Sequence, residues 1–131
     1  MKPRVVALLG AAVVAAAPAA CSEGIRTIEV TIEHSRFLPG NLGIDPGETV
    51  RFVISNGDPI NHEFILGDQA VQDRHEVGHE PHGAIPGEIS VPAGETAATT
   101  YTFPGIEREL LYGCHLPGHW DYGMRGTVRV G

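Results

Sequence analysis

Short runs of alternating apolar side chains, each stopped by a glycine- or proline-bearing turn, dominate this 131-residue chain. In Ile25 to Glu33, Ile28, Val30 and Ile32 recur at every second position, the period of a half-buried strand. Thr49 to Ser55 repeats the pattern with β-branched and aromatic residues, and Asn61 to Leu66 follows as a third strand. Glu88 to Val91, Glu95 to Phe103, Glu109 to Gly113 and Gly126 to Val130 complete the set. Pro39-Gly40, Asp45-Pro46-Gly47, Asn56-Gly57-Asp58-Pro59 and Pro92-Ala93-Gly94 punctuate them as turns. Six to eight short strands predict an all-β sandwich or barrel, because each strand must bury one face against another layer. No segment sustains a 3.6-residue period, so little helix is expected.

The first 20 residues read differently. Lys2 and Arg4 precede an unbroken apolar run, Val5 to Ala17, too short to span a bilayer comfortably. A basic start, an apolar stretch and small residues at its end describe a signal peptide over residues 1–20. Ala17-Pro18-Ala19 offers an ordinary cleavage site. Ala19-Ala20-Cys21-Ser22 resembles a bacterial lipobox instead, which would make Cys21 a lipidation site and membrane anchor. Export to the periplasm or cell surface is the expectation in either case. Removing the leader leaves seven arginines and no lysine against 16 carboxylates, a net charge of −9. That balance argues against a nucleic-acid partner, since phosphate binding needs clustered cations.

Residues 25–131 then form one domain with one outlying stretch. Gly67 to Gly87 is a long polar loop carrying His75, His79 and His82 among Glu76 and Glu80. The histidines follow H-x3-H-x2-H, adequate for a second Cu(II) or Zn(II) site. The alternative is an exposed loop whose histidines are merely solvated. His34 stands alone near a strand end.

The chemistry concentrates in Tyr112 to Met124. Cys114, His119 and Met124 are spaced C-x4-H-x4-M, so a short loop between two strands can aim all three at one point. Thiolate, imidazole and a weak thioether suit copper, and two imidazoles with one thiolate and an axial methionine make a type 1 site. His62, at the start of its strand, is placed to supply the second imidazole.

These residues, with Tyr112, Pro117-Gly118-His119 and Gly123-Met124-Arg125-Gly126-Thr127-Val128 around them, resemble the copper loop of the cupredoxins: plastocyanin, azurin, pseudoazurin and, in ligand spacing, auracyanin. The resemblance covers most of residues 25–131. It implies a Greek-key β-sandwich holding one type 1 copper per chain, with His62, Cys114 and His119 equatorial and Met124 axial. It departs at Glu63, where plastocyanin and azurin carry an asparagine that helps lock the copper loop.

Cys114-His115-x3-His119 also resembles the last motif of multicopper oxidases, His-Cys-His-x3-His. Gly113 replaces the first histidine, and the chain has no His-x-His pair. An oxygen-reducing cluster, and with it enzymatic activity, is therefore not expected. His115 reads as a loop residue bonding backbone or solvent.

The resemblance implies a monomeric carrier of single electrons through Cu(I)/Cu(II) between transient redox protein partners. The edge of His119 would be its electron port, with Leu116, Pro117 and Trp120 as a small docking patch. The alternative is a periplasmic copper-binding protein for sequestration, delivery or resistance that also uses the loop histidines.

Overall fold

A computed structural model describes residues 24–78, 82 and 85–131. The leader, Cys21 and His79 lie outside the described residues. Two sheets face one another. The first runs β2-β1-β4-β7, with β1 Arg26–Glu33, β2 Arg36–Leu38, β4 Thr49–Asn56 and β7 Thr96–Thr102. The second runs β3-β9-β8-β5-β6, with β3 Asn41–Ile44, β5 His62–Gly67, β6 Glu88–Val91, β8 Arg108–Gly113 and β9 Arg125–Val130. β1 lies parallel to β4 and β3 parallel to β9, while the other pairings are antiparallel. The chain crosses between the sheets five times, from β2 to β3, β3 to β4, β4 to β5, β6 to β7 and β7 to β8, as the expected Greek-key sandwich requires.

The inward positions of the alternating runs make the core. Val30, Ile32, Val50, Phe52, Ile54, Phe64, Leu110, Val128 and Val130 are buried. Phe64 and Phe37 pack against Tyr112, each with ring centroids 5.4 Å from it. The Tyr112 hydroxyl donates to the Pro39 carbonyl at 2.6 Å, which satisfies the one polar atom of a fully buried ring. Gly126 is required here: a Cβ would overlap the Tyr112 ring.

Two stretches depart from the sequence expectation. The stretch around Pro39-Gly40, read as a plain turn, is flanked by the short strands β2 and β3, too brief to show a period. The polar stretch after β5 contains a nine-residue helix, α1 Gln69–Val77, capped by Asp68, whose side chain accepts from the Val71 amide at 3.1 Å. Its buried residues are Gln72 and His75. A helix with a polar inward face carries no apolar stripe, so periodicity could not reveal it. Among the described residues no helix is long and apolar enough to cross a membrane.

Candidate metal centre

Two connections converge at one end of the sandwich. The first runs from β4 to β5 through Asn56-Gly57-Asp58-Pro59. The buried Asn56 amide donates to the carbonyls of Ile60 and Val91 at 2.8 and 3.0 Å, pinning this turn to the end of β6. The second runs from β8 to β9 and contains one short helix, α2 His119–Tyr122. Gly118 and Gly123 bound it with φ of 79° and 98°, a left-handed backbone that glycine adopts without steric cost. The Cys114 amide donates to the Met124 carbonyl at 3.1 Å, and the Met124 amide to the His119 carbonyl at 3.0 Å. The loop is therefore tied shut by its own candidate ligands.

The structure brings the predicted residues together. His62 and Cys114 are buried and His119 is half-buried. The two Nδ1 atoms of His62 and His119 are 3.3 Å apart, and Cys114 Sγ lies 3.2 Å from His119 Nδ1 and 4.0 Å from His62 Nδ1. A point equidistant from these three atoms is about 2 Å from each, the length of a metal–donor bond. Met124 is fully buried beside them, held by its backbone bonds to both loop ligands. The donor types fit copper: a cysteine sulfur, two imidazoles and the thioether of the neighbouring Met124, largely shielded from solvent.

The groups behind the ligands set their protonation. Asp58 Oδ2 lies 2.9 Å from His62 Nε2, so that nitrogen carries the proton and Nδ1 is left to coordinate. Burial works against the Asp58 charge. The amides of Ser35 and His34, each at 2.7 Å, and His62 outweigh it and hold this carboxyl below its usual range. His34 thus takes part through its backbone. Burial and the neighbouring His62 hold His119 below an ordinary imidazole, keeping it neutral and able to coordinate. Burial pushes the Cys114 thiol up to about 11, against the amides of Leu116 and Glu63 that point at the sulfur. A metal cation is what would stabilise the thiolate in so dry a pocket.

Glu63 resolves the departure from the family pattern. Its backbone amide donates to Cys114 Sγ at 3.4 Å, a bond that needs no particular side chain. Its carboxylate turns away and meets His82 Nε2 at 2.7 Å.

His115 does not bond backbone or solvent as its position suggested. Its Nδ1 meets Glu76 and its Nε2 meets Gln72, both at 2.7 Å, while its ring stacks on Trp120 at 4.7 Å. Trp120 in turn covers Gly113, where a Cβ would overlap the indole ring. This is why glycine stands where an oxidase motif has histidine.

Of the loop histidines, the two that are described, His75 and His82, are not solvated. His75 is 3% exposed, and the His82 side chain is 9% exposed. The structure groups His75 and His82 with Glu88, a residue that sequence reasoning passed over as an ordinary strand start. Asp58 and Gln72 were also missed. Asp58 had a signal, its place four residues before His62 in a turn, whereas Gln72 had none.

Comparison with known proteins points to copper binding. The family described as copper binding proteins, plastocyanin/azurin family, matches residues 26–131. The chain is 36% identical over 118 residues to the copper-resistant cuproprotein CopI of Rubrivivax gelatinosus, covering 86% of this chain and 71% of that protein. It is 31% identical over 146 residues to CopI of Pseudomonas aeruginosa, covering 86% and 80%. Among solved structures, auracyanin A of Chloroflexus aurantiacus superposes with a TM-score of 0.65 at 26% identity, over 82% of this chain and all of that one. The chain belongs to the plastocyanin/azurin family of copper-binding proteins.

Proposed function

We propose that the chain is an exported copper-tolerance protein that binds one copper ion through His62, Cys114, His119 and Met124. The buried triangle of His62 Nδ1, Cys114 Sγ and His119 Nδ1 carries this reading. Copper held there supplies a Cu(I)/Cu(II) couple. The chain's own groups keep both imidazoles ready to coordinate, exclude water and fix the loop. The protein acts by binding and not as an enzyme. The leader directs it to the periplasm or cell surface as a monomer, with Cys21 as a lipid anchor. The names of the CopI relatives support tolerance over electron carriage as the leading reading.

The test has two parts. Cu(II) added to the purified domain is expected to give an intense visible thiolate-to-copper band that Cys114→Ser abolishes. A deletion strain is expected to be copper-sensitive and rescued by the wild type but not by Cys114→Ser. Correctly folded protein without the band overturns the centre. A deletion strain with unchanged tolerance overturns the role.

One observation favours a second reading, single-electron transfer with a redox partner. Of the three triangle residues only His119 reaches the surface, flanked by half-buried Leu116 and Trp120 and exposed Pro117. Small apolar contacts of this kind suit transient partners. An acidic surface would favour a basic partner face and faster association at low salt.

A further inference from the structure

α1 packs over β5 and β8 and turns His75 inward, toward Glu88 at the start of β6. His82 lies on the connection between them. His75 Nε2 is 3.1 Å from Glu88 Oε2, yet the two are not aligned as a hydrogen bond. Together with His82 Nδ1, these are the buried side-chain polar atoms without a hydrogen-bond partner among the described residues. That all of them fall in one cluster, with donor atoms within 4.8 Å of one another, is a strong concentration of unmet polar demand.

The atoms around the cluster are arranged as they are behind metal ligands. Glu63 Oε1 meets His82 Nε2 at 2.7 Å, which places the imidazole proton there and leaves the Nδ1 lone pair facing the cluster. Arg74 Nη2 lies 3.9 Å from Glu88 Oε1, the oxygen that does not face His75. The rings of His75 and His82 are 5.1 Å apart and tilted by 41°. Pairing a protonated His75 with Glu88 would satisfy two of the three atoms and leave His82 Nδ1 buried without a partner.

We propose that His75 Nε2, His82 Nδ1 and Glu88 Oε2 form a second cation site for a divalent, imidazole-seeking ion, Zn(II) or Cu(II). Two neutral imidazoles and one carboxylate are a donor set for such ions, and water completes a tetrahedral shell. Glu63 links the two centres: its amide touches Cys114 Sγ and its carboxylate touches His82. The inference deepens the copper-tolerance reading by adding a second ion, and Zn(II) tests it apart from the thiolate centre.

The mature chain is first loaded with one equivalent of copper until its visible band is full. It is then titrated with Zn(II), and retained zinc is counted by mass spectrometry after gel filtration. One zinc per chain is expected, with the band preserved because Cu(II) outcompetes Zn(II) at the first centre. Glu88→Gln and His82→Ala are each expected to weaken zinc binding at least tenfold, with unchanged far-ultraviolet circular dichroism. Glu88→Gln keeps the volume of the buried side chain, so it reads the site even if His82→Ala does not fold. Repeating the Glu88→Gln comparison in a Cys114→Ser background keeps the test readable should the copper band never form. No zinc beyond the copper, or zinc held equally well by Glu88→Gln, overturns the proposal.

Discussion

Asp58 holds the proton of His62: its Oδ2 sits 2.9 Å from Nε2, on the side of the ring away from Cys114. The same carboxylate accepts the amides of His34 and Ser35, two non-glycine residues with φ of 53° and 54°. One side chain therefore stabilises a tight left-handed turn and selects the tautomer that leaves His62 Nδ1 free. Asp58→Asn reverses the polarity of the contact, because the amide can donate to Nε2 and drive the proton onto Nδ1. Copper affinity is expected to fall by about 10–100-fold, the usual effect of losing such an outer partner. Competition with a chelator of known affinity measures it, and an affinity equal to wild type would refute the tautomer argument.

The sandwich and most of the candidate centre were legible because their signals are local. Alternation in β1 and β4 sets which faces are buried, and Cys114, His119 and Met124 share one short loop. What escaped the sequence depends on contacts between distant segments. α1 hid because its inward residues, Gln72 and His75, are polar. Glu88 reads as a polar residue beginning a strand, yet it is buried, with Arg74 and His75 of α1 and His82 facing it. His115 found Gln72 and Glu76 across 43 and 39 residues, partners no spacing rule would supply.

Gly113 and Trp120 form a tight pair at the edge of the centre. Gly113→Ala would place a methyl group in the indole ring. Overpacking of this kind costs about 1–3 kcal/mol. Thermal unfolding of the metal-free domain should show the loss. In a Trp120→Ala background the penalty should shrink toward zero, since the clash has one source. An undiminished penalty in the double variant would mean that backbone strain, not the ring, excludes a side chain at this position.

Met124 ties the loop through its backbone, and its thioether is the fourth donor proposed for copper. Met124→Leu keeps volume and the two backbone bonds, so the fold should lose less than about 1.5 kcal/mol. Copper should still bind through His62, Cys114 and His119. Removing a weak donor stabilises Cu(II) less than before and leaves Cu(I) nearly unaffected, so the reduction potential should rise. Voltammetry of both proteins decides this, and a potential that stays or falls would show that the thioether is packing alone.

The buried Cys114 thiol makes the metal-free protein sensitive to alkali. Its folded pKa is raised from 9.0 to about 11 by burial, so between these values the folded state holds a proton that the unfolded state has released. Stability from this group is fully present below pH 9 and is lost as the pH rises through 11. The full loss is about 3 kcal/mol. Tyr101 and Tyr112, also raised by burial, add a decline of the same sign at higher pH. Cys114→Ser separates the two contributions, because it removes the thiol and keeps both tyrosines. Urea unfolding of the metal-free wild type should therefore weaken more steeply than Cys114→Ser between pH 9 and 11. Copper bound at the proposed centre would hold the sulfur as thiolate and should abolish the difference. Parallel pH profiles for the two metal-free proteins would show that the thiol ionises as freely in the folded state as in the unfolded chain.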